Sequence, residues 1–243
     1  MPAFEAKPGM PYWQDLASEQ PMKAAHFYTQ LLGWEVTGES YRVARMEGLP
    51  VAGFLQQPYD MWVTYFLGYP GEAIERLGGN VLGTAEVSLG EMTVCQDPAG
   101  ALFGLIDPAG EDQFVAAGEP GVPVWHEYVA PSLDAIDFYG ELFDWEIREE
   151  DGYYLALEEG AAFLGMRLAE GAPAGAWQTY LGVEDLEWAT RKVVELGGQV
   201  VAGPAMSPFG PLAVIEDATG AGVFLCEVEK PVFEEINEAD SVL

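Results

Sequence analysis

The sequence contains the same pattern twice, and this duplication limits the possible folds more than any other feature. Matching segments occur in the same order in both halves: Trp13 and Trp125, FYTQLLGWE (27–35) and FYGELFDWE (138–146), WVTY (62–65) and WQTY (177–180), RLGG (76–79) and ELGG (195–198), and DPAGALFGL (97–105) and DATGAGVFL (217–225). The offset between matched residues drifts only from 111 to 120, as small loop insertions would produce. Such an ordered repeat indicates that a whole domain is duplicated.

A segment rich in glycine, proline and acidic residues separates the two copies. This segment, 107–123, has the composition of an exposed connector. We therefore predict a first domain over residues 1–117 and a second over residues 118–243. A chain of 243 residues is long enough for two domains of ordinary size.

Within each copy, the pattern predicts a strand, a helix and two or three strands, and then the same series again. In the first copy, apolar residues at helical spacing follow Pro21, and Gly33 is placed to end that helix. Short segments of strand composition follow, with turn residues at Asp97-Pro98-Ala99-Gly100 between two of them. The sequence thus predicts an α+β protein built from four similar modules.

The charge balance restricts the possible partners. There are 40 acidic against 10 basic residues, which gives a net charge of −30 that repels phosphate groups and anionic lipid. No apolar run is long enough to cross a membrane. We therefore expect neither a nucleic-acid nor a membrane partner. The acidic residues are interpreted as a solvated surface, with attraction of a cationic ligand as the alternative.

Two features indicate a reducing environment. Cys95 and Cys226 occupy matching places in the two copies, which predicts two separate core thiols and no disulfide framework. The first residues show no basic segment followed by an apolar one. We therefore expect a cytoplasmic protein.

The helix and turn segments at 27–35, 138–146, 97–105 and 217–225 resemble those of the vicinal oxygen chelate superfamily, which includes glyoxalases, bleomycin-resistance proteins and extradiol dioxygenases. The chain looks most similar to two-domain, glyoxalase-like members. The resemblance implies tandem domains, each with two βαβββ modules whose mixed sheet curls into a cup that holds a ligand. It does not fix the reaction, because the superfamily includes isomerases, lyases, dioxygenases and drug-binding proteins.

In metal-using members of this superfamily, His, Gln or Glu side chains on particular strands of each cup bind one divalent ion. The positions that match here are Trp13, Val63 and Gly104 in the first copy and Trp125, Gln178 and Phe224 in the second. Trp, Val, Gly and Phe side chains do not coordinate such ions. His26 falls within the first helix, and we interpret it as a surface or packing residue. We therefore predict no metal site and no cofactor, with a divalent metal as the alternative.

Strand alternation predicts which side chains face each cup, because every second residue points to one side. The predicted ligand-binding residues are Trp13, Asp15 and Tyr65 in the first cup and Trp125, Glu127, Gln178 and Tyr180 in the second. Aromatic walls with a few polar groups suit a small, partly aromatic ligand, or a cation beside a carboxylate. A phase shifted by one residue would turn Gln14 and His126 inward instead.

Each of these residues also has a purely structural interpretation. The Trp and Tyr side chains fit an ordinary core equally well. A buried carboxylate at Asp15 or Glu127 needs partners, and a backbone N–H or a tyrosine would provide them. If the protein is catalytic, Glu127, Asp15 and His126 are the candidates, since a desolvated carboxylate with a raised pKa can act as a general base.

Three functions remain open from the sequence. The first is metal-independent binding of a small molecule in the cups. The second is a glyoxalase- or dioxygenase-type enzyme, hence a lyase, isomerase or oxygenase, with a non-standard metal site formed by His126, Glu127 and Asp15. The third is a non-catalytic interaction protein whose cups are filled by their own side chains. The halves are expected to pair within a monomer or across a homodimer.

Overall fold

The computed structural model describes residues 3–68, 71–110, 114–207 and 210–230. The elements of the first half are β1 (Ala3–Glu5), β2 (Pro11–Ser18), α1 (Pro21–Leu32), β3 (Glu35–Thr37), β4 (Tyr41–Met46), β5 (Leu49–Gln56), β6 (Met61–Leu67), α2 (Ala73–Arg76), β7 (Asn80–Val87), β8 (Gly90–Gln96) and β9 (Leu102–Pro108). Those of the second half are β10 (Phe114–Ala116), β11 (Pro123–Ala130), α3 (Leu133–Phe143), β12 (Glu146–Glu150), β13 (Tyr153–Glu158), β14 (Ala161–Leu168), β15 (Ala176–Val183), α4 (Leu186–Glu195), β16 (Gln199–Ser207), β17 (Gly210–Glu216) and β18 (Gly222–Glu227). The predicted boundary at 117/118 falls between β10 and β11.

The matching helices α1 and α3 end in the same way with different residues. Helix α1 begins with Pro21 in its first turn and ends at Gly33, whose φ of 76° is left-handed and whose N–H bonds the carbonyl of Thr29. Helix α3 ends at Asp144 with a φ of 55°. Glycine adopts this conformation without a Cβ penalty, whereas Asp tolerates it through its short polar side chain. The two copies therefore keep the same helix end although the residue differs.

The described strands form two eight-stranded mixed sheets of identical order, with a small β1–β10 pair beside them. The first sheet runs β3-β4-β5-β2-β6-β9-β8-β7, and the second runs β12-β13-β14-β11-β15-β18-β17-β16. In each sheet, two strand–helix–three-strand modules meet through an antiparallel pair, β2 with β6 or β11 with β15. The prediction of tandem α+β domains made from four βαβββ modules is confirmed.

The first sheet is strongly curled. Strands β4 and β8 are five strand spacings apart in the order, which would separate them by about 24 Å in a flat sheet. Yet the Tyr41 hydroxyl on β4 lies 3.9 Å from the Met92 sulfur on β8. Two side chains cannot bridge a flat sheet of that width, so the sheet bends until its edges approach each other. The inward face of each curled sheet is called the first cup (β2–β9) or the second cup (β11–β18).

The helices pack on the outward faces of the sheets, and the resulting cores contain residues from both domains. One hydrophobic cluster joins Phe27 and Leu31 of α1 to Ala189 and Val193 of α4. Another joins Phe66 and Phe103 of the first domain to Phe138, Tyr139 and Trp177 of the second. Cys95 and Cys226 are two separate buried thiols, as predicted. In the described part of the chain, none of the helices has the length and apolar character needed to span a membrane.

A chain of buried hydrogen bonds crosses between the domains and explains the repeated motifs. The Trp177 indole N–H donates to the Tyr139 hydroxyl at 2.8 Å, and Tyr139 donates to Oδ2 of Asp97 at 3.0 Å. Tyr128 donates to the same Asp97 oxygen at 2.5 Å, while the backbone N–H of Ala101 bonds Asp97 Oδ1 at 2.8 Å. The aspartate of the turn motif in one domain thus anchors the helix tyrosine of the other.

A matching set of Trp, Tyr and Asp has its tryptophan and tyrosine in the first domain and its aspartate in the second. The Trp62 indole N–H donates to the Tyr28 hydroxyl at 3.1 Å. Burial and the neighbouring Asp217 carboxylate raise the pKa of Tyr28 well above its usual value. Asp217 Oδ1 accepts the backbone N–H of Gly220 and Ala221 within its own turn. Tyr28 and Asp217, of different domains, therefore lie close enough to interact, although no hydrogen bond from a described residue reaches Asp217 Oδ2.

We expect Asp97→Ala to lower the free energy of unfolding by at least about 3 kcal/mol, because it leaves two tyrosine hydroxyls and one backbone N–H buried without an acceptor. Asp97→Asn keeps an oxygen at the position and should cost less, about 1 kcal/mol. Urea unfolding followed by circular dichroism measures both. Asp107→Ala, at an exposed position on β9, is the matched control. A loss in Asp97→Ala no larger than in this control would contradict the anchoring role of Asp97.

Candidate functional site

The structure shows which side chains of the central strands face the cups. Trp13 and Asp15 of β2 point into the first cup together with Tyr65 of β6, as strand alternation predicts. Gln14 points to the opposite face, where its Nε2 donates to the Val51 carbonyl at 3.2 Å. His126 also lies on the outward face, with Nδ1 3.4 Å from Thr64 Oγ1. The alternative phase, with Gln14 and His126 inward, is therefore wrong.

The carboxylate of the first cup is held by its aromatic neighbours. Asp15 is 1% exposed, and its Oδ1 accepts the Trp13 indole N–H at 2.8 Å and the Tyr41 hydroxyl at 2.7 Å. Gly53 pairs with Asp15 on the adjacent strand, and a Cβ at Gly53 would lie 2.0 Å from Asp15 Oδ1. Glycine is therefore required there. This geometry matches the structural interpretation of Asp15, in which a tyrosine satisfies the buried carboxylate.

The remaining space of the first cup is filled by its own side chains. A single cluster of buried residues occupies it, made of Trp13, Val43, Val63, Tyr65, Met92 and Ile106. The Tyr65 ring lies directly over Gly104, where a Cβ would be 2.0 Å from the ring. The first cup therefore has the character of a closed core.

Burial controls the ionisation of Asp15. Desolvation raises the pKa of its carboxyl to about 6, although hydrogen bonds from Tyr41, Trp13 and Tyr65 act in the opposite direction. The charged form is present at neutral pH but is held at a cost to the folded state. With 1% of its surface exposed, Asp15 is shielded from solvent.

The second cup has the same framework with an added cation. The Tyr153 hydroxyl donates to Glu127 Oε2 at 2.9 Å, and Arg167 Nε donates to Glu127 Oε1 at 2.8 Å. The Trp125 indole N–H bonds the Tyr153 hydroxyl at 3.2 Å. Gly165, opposite Glu127, has the Tyr153 hydroxyl where a Cβ would be, at 1.9 Å. Glu127 is buried, whereas the Arg167 side chain is 44% exposed.

The second cup is more accessible than the first. Its inward residues Trp125, Leu155, Gln178, Leu212 and Phe224 are half-buried, whereas their first-cup counterparts Trp13, Val43, Val63, Met92 and Gly104 are buried. The rings of Tyr180 and Phe224 stack with centroids 4.4 Å apart. Among the described residues, no donor reaches the buried Oε1 atom of Gln178. The second cup thus presents an aromatic stack, an ion pair and an unsatisfied amide oxygen.

The side chains at the metal-ligand positions do not fit a divalent ion. Of those six residues, Gln178 alone carries an oxygen donor in its side chain. No group of three His, Cys, Asp or Glu side chains comes together in the described ranges. The alternative ligand set of His126, Glu127 and Asp15 is not assembled, because Asp15 and Glu127 belong to different cups and His126 faces away from both.

Sequence reasoning did not identify Tyr41, Tyr153 or Arg167, which hold the two carboxylates. Each pair forms between strands that are not adjacent in sequence, so the partner depends on sheet register. The glycines at Gly53 and Gly165, which repeat in the two copies, were the one available signal that something bulky lies above those positions.

A tandem of four βαβββ modules with paired cups is the fold of glyoxalases and extradiol dioxygenases, and the chain has this fold. No family model matches the sequence. It is 29% identical over 269 aligned positions to the anthracycline biosynthesis protein DnrV of Streptomyces peucetius, covering 92% of the chain and 94% of that protein. It is 29% identical over 246 positions to the glyoxylase-like protein CFP32 of Mycobacterium bovis, covering 89% and 94%.

Solved structures with the same fold have lower identity. The Mn(II)-bound glyoxalase from Novosphingobium aromaticivorans matches with a TM-score of 0.65 and 14% identity, over 94% of this chain and 85% of that chain. The 2,3-dioxygenase LapB from Pseudomonas sp. KL28 matches with a TM-score of 0.62 and 13% identity, over 95% and 97%. At this identity the comparison shows the fold alone.

Asp15→Asn tests the ionisation of the first cup. Because the pKa of Asp15 is raised to about 6, the folded state binds its proton more tightly than the unfolded state. Its contribution to stability is complete below pH 4 and is lost as pH rises through 6, by about 3 kcal/mol. The free energy of unfolding of the wild type, minus that of Asp15→Asn, should therefore fall between pH 4 and pH 7 in urea titrations. A difference that stays constant over this range would contradict the raised pKa.

Proposed function

We propose that this protein binds a small, partly aromatic molecule in the second cup without a metal ion. The observation that carries the proposal is the contrast between the two cups. The same strands enclose a filled core in the first cup and a half-buried, polar-lined face in the second. Because both cups share one backbone design, the difference arises from the side chains.

The second cup has the composition of a small-molecule site. The stacked rings of Tyr180 and Phe224 offer a flat apolar surface. Gln178 Oε1 is a hydrogen-bond acceptor in need of a donor, because an unsatisfied buried amide costs free energy. The Arg167 guanidinium carries N–H groups beyond the one that bonds Glu127. These groups suit a flat molecule with a few oxygen or nitrogen functions.

The ion pair between Glu127 and Arg167 limits the charge that a ligand of the second cup can carry. Glu127 is already paired with Arg167, so the cup does not hold an uncompensated carboxylate for a simple cation. This favours the aromatic over the cationic interpretation of the ligand. Two of the similar proteins are named for anthracycline biosynthesis in Streptomyces, which makes an anthracycline a reasonable first probe.

The second candidate function is a glyoxalase- or dioxygenase-type enzyme. It is favoured by the name of the CFP32 relative and by the glyoxalase and dioxygenase structures of the same fold. It requires a divalent ion bound by donors other than those at the usual positions, because the residues there do not fit one. The cytoplasmic location and the absence of nucleic-acid partners remain predictions.

Gln178→Val converts the second cup to the side chain that the first cup has at Val63. We expect it to weaken binding of an anthracycline by about tenfold, because the ligand loses a hydrogen bond to Gln178 Oε1. Titration followed by the fluorescence of the compound measures this. Gln56→Val, the same change at an exposed strand position, should leave affinity unchanged. The absence of saturable binding to the wild type, or equal binding by Gln178→Val and wild type, would contradict the proposal.

Metal independence is tested by elemental analysis. We expect well below one Mg, Mn, Fe or Zn ion per chain after incubation with each ion and exchange into buffer of moderate ionic strength. The salt removes ions that are held loosely by the net charge of −30. One tightly held ion per chain would favour the enzyme candidate, and Glu127→Gln would then show whether Glu127 is among its ligands.

A further inference from the structure

A cavity lies between the two domains, beside the central strands. It is a cavity of about 520 Å³ beside the first residues of β2 and β11. Its lining includes Trp13 and Gln14 of one domain and Trp125 and His126 of the other. This volume is typical of sites for small organic molecules. The cavity borders both cups, because Trp13 and Trp125 face the cups, while Gln14 and His126 line it from the opposite face of their strands.

The polar character of the cavity comes from Gln14. This side chain is 1% exposed, and its Nε2 donates to the Val51 carbonyl at 3.2 Å. Its Oε1 atom accepts no hydrogen bond from any described residue. Leaving a buried amide oxygen without a donor is unfavourable, so the position suits a ligand that brings an N–H or O–H group.

His126 occupies the corresponding position of the second domain and adds an uncharged polar group. Its Nδ1 lies 3.4 Å from Thr64 Oγ1, at the contact between the domains. Burial lowers the pKa of His126 to about 4, so the ring is neutral at physiological pH. A neutral imidazole has one donor and one acceptor nitrogen. The inner part of the cavity therefore offers hydrogen bonding without a net charge.

An ion pair between the domains forms the outer part of the cavity lining. Lys7, which precedes β2, contacts the carboxylates of Glu158 at 2.5 Å and Glu159 at 2.8 Å, at the turn between β13 and β14. Ala116 of β10 and Phe163 of β14 also line the cavity. The cavity is thus bounded by charged groups near solvent and by apolar side chains inside.

We propose that this inter-domain cavity is a second ligand site, and that it takes a small uncharged aromatic molecule with a hydroxyl group, of the phenol class. The ring occupies the apolar part of the cavity, and the hydroxyl donates to Gln14 Oε1. A charged ligand is disfavoured, since the inner residues provide no compensating charge. This site differs from the one proposed in the second cup, because Gln178, Tyr180 and Phe224 are not part of its lining.

The test uses the full chain and three fluorinated probes observed by 19F NMR. We expect 4-fluorophenol to bind more tightly than fluorobenzene, which lacks the donor, and 4-fluorobenzoate, which is charged, not to bind. Gln14→Met keeps the length of the side chain and removes the acceptor, so it should weaken 4-fluorophenol by about tenfold and leave fluorobenzene unchanged. Gln30→Met, at an exposed position of α1, is the matched control and should have no effect.

A second variant locates the binding without relying on a buried substitution. Ala162 is exposed and lines the cavity, so Ala162→Phe should fold normally and remove binding of both neutral probes. The inference is overturned if 4-fluorophenol does not bind, if Ala162→Phe binds it as well as the wild type, or if Gln14→Met loses no more affinity than Gln30→Met. Loss of binding in Gln178→Val with full binding in Gln14→Met would assign the probe to the second cup and also overturn it.

Discussion

The buried aspartate of the turn motif is the constraint on which the rest of the structure depends. Asp97 belongs to the first domain, yet its Oδ2 accepts two hydroxyl groups of the second domain, from Tyr128 and Tyr139. A buried carboxylate is stable only when its oxygens are satisfied, so this contact specifies one relative arrangement of the domains. That arrangement places β2 beside β11, and the cavity between Gln14 and His126 exists because of it.

The two cups share one strand arrangement and differ in a few side chains. Where the first domain has Gly104 beneath the Tyr65 ring, the second has Phe224 stacked on Tyr180. Where the first has Leu55 two residues after Gly53, the second has Arg167 two residues after Gly165, which brings a cation to Glu127. Where the first domain has Val63, the second has Gln178, which adds an amide. Each change alters polarity or access without altering the strand order, so a closed cup and a more accessible cup coexist in one chain.

Features that follow from a local sequence pattern could be predicted, whereas hydrogen-bond partners that lie on another strand could not. The duplication, the four modules, the helix end at Gly33 and the inward phase of Trp13 and Trp125 all follow from spacing. The hydrogen bonds of Tyr41 and Tyr153 depend on strand register, which no local pattern specifies. Asp97 was interpreted as turn chemistry, which its bond to Ala101 bears out, but its contact with Tyr139 needs the domain arrangement.

The indole in the first cup and the buried carboxylate beside it depend on each other. Trp13 stands at a position that the superfamily resemblance assigns to a metal ligand, and its N–H donates to both Asp15 Oδ1 at 2.8 Å and the Tyr41 hydroxyl at 2.9 Å. Replacing Asp15 by an apolar residue would relieve the desolvation of the carboxylate. It would leave the Trp13 N–H with Tyr41 as its acceptor and the Tyr41 hydroxyl without the Asp15 acceptor, at about 1–3 kcal/mol for that hydroxyl. In the second cup, the longer Glu127 bonds Tyr153 and Arg167, and the Trp125 N–H bonds Tyr153 instead. A buried carboxylate in such a cup therefore indicates an aromatic neighbour that needs a hydrogen-bond acceptor. The cup is a candidate ligand site only where a further buried polar atom, such as Gln178 Oε1, has no hydrogen-bond partner among the described residues.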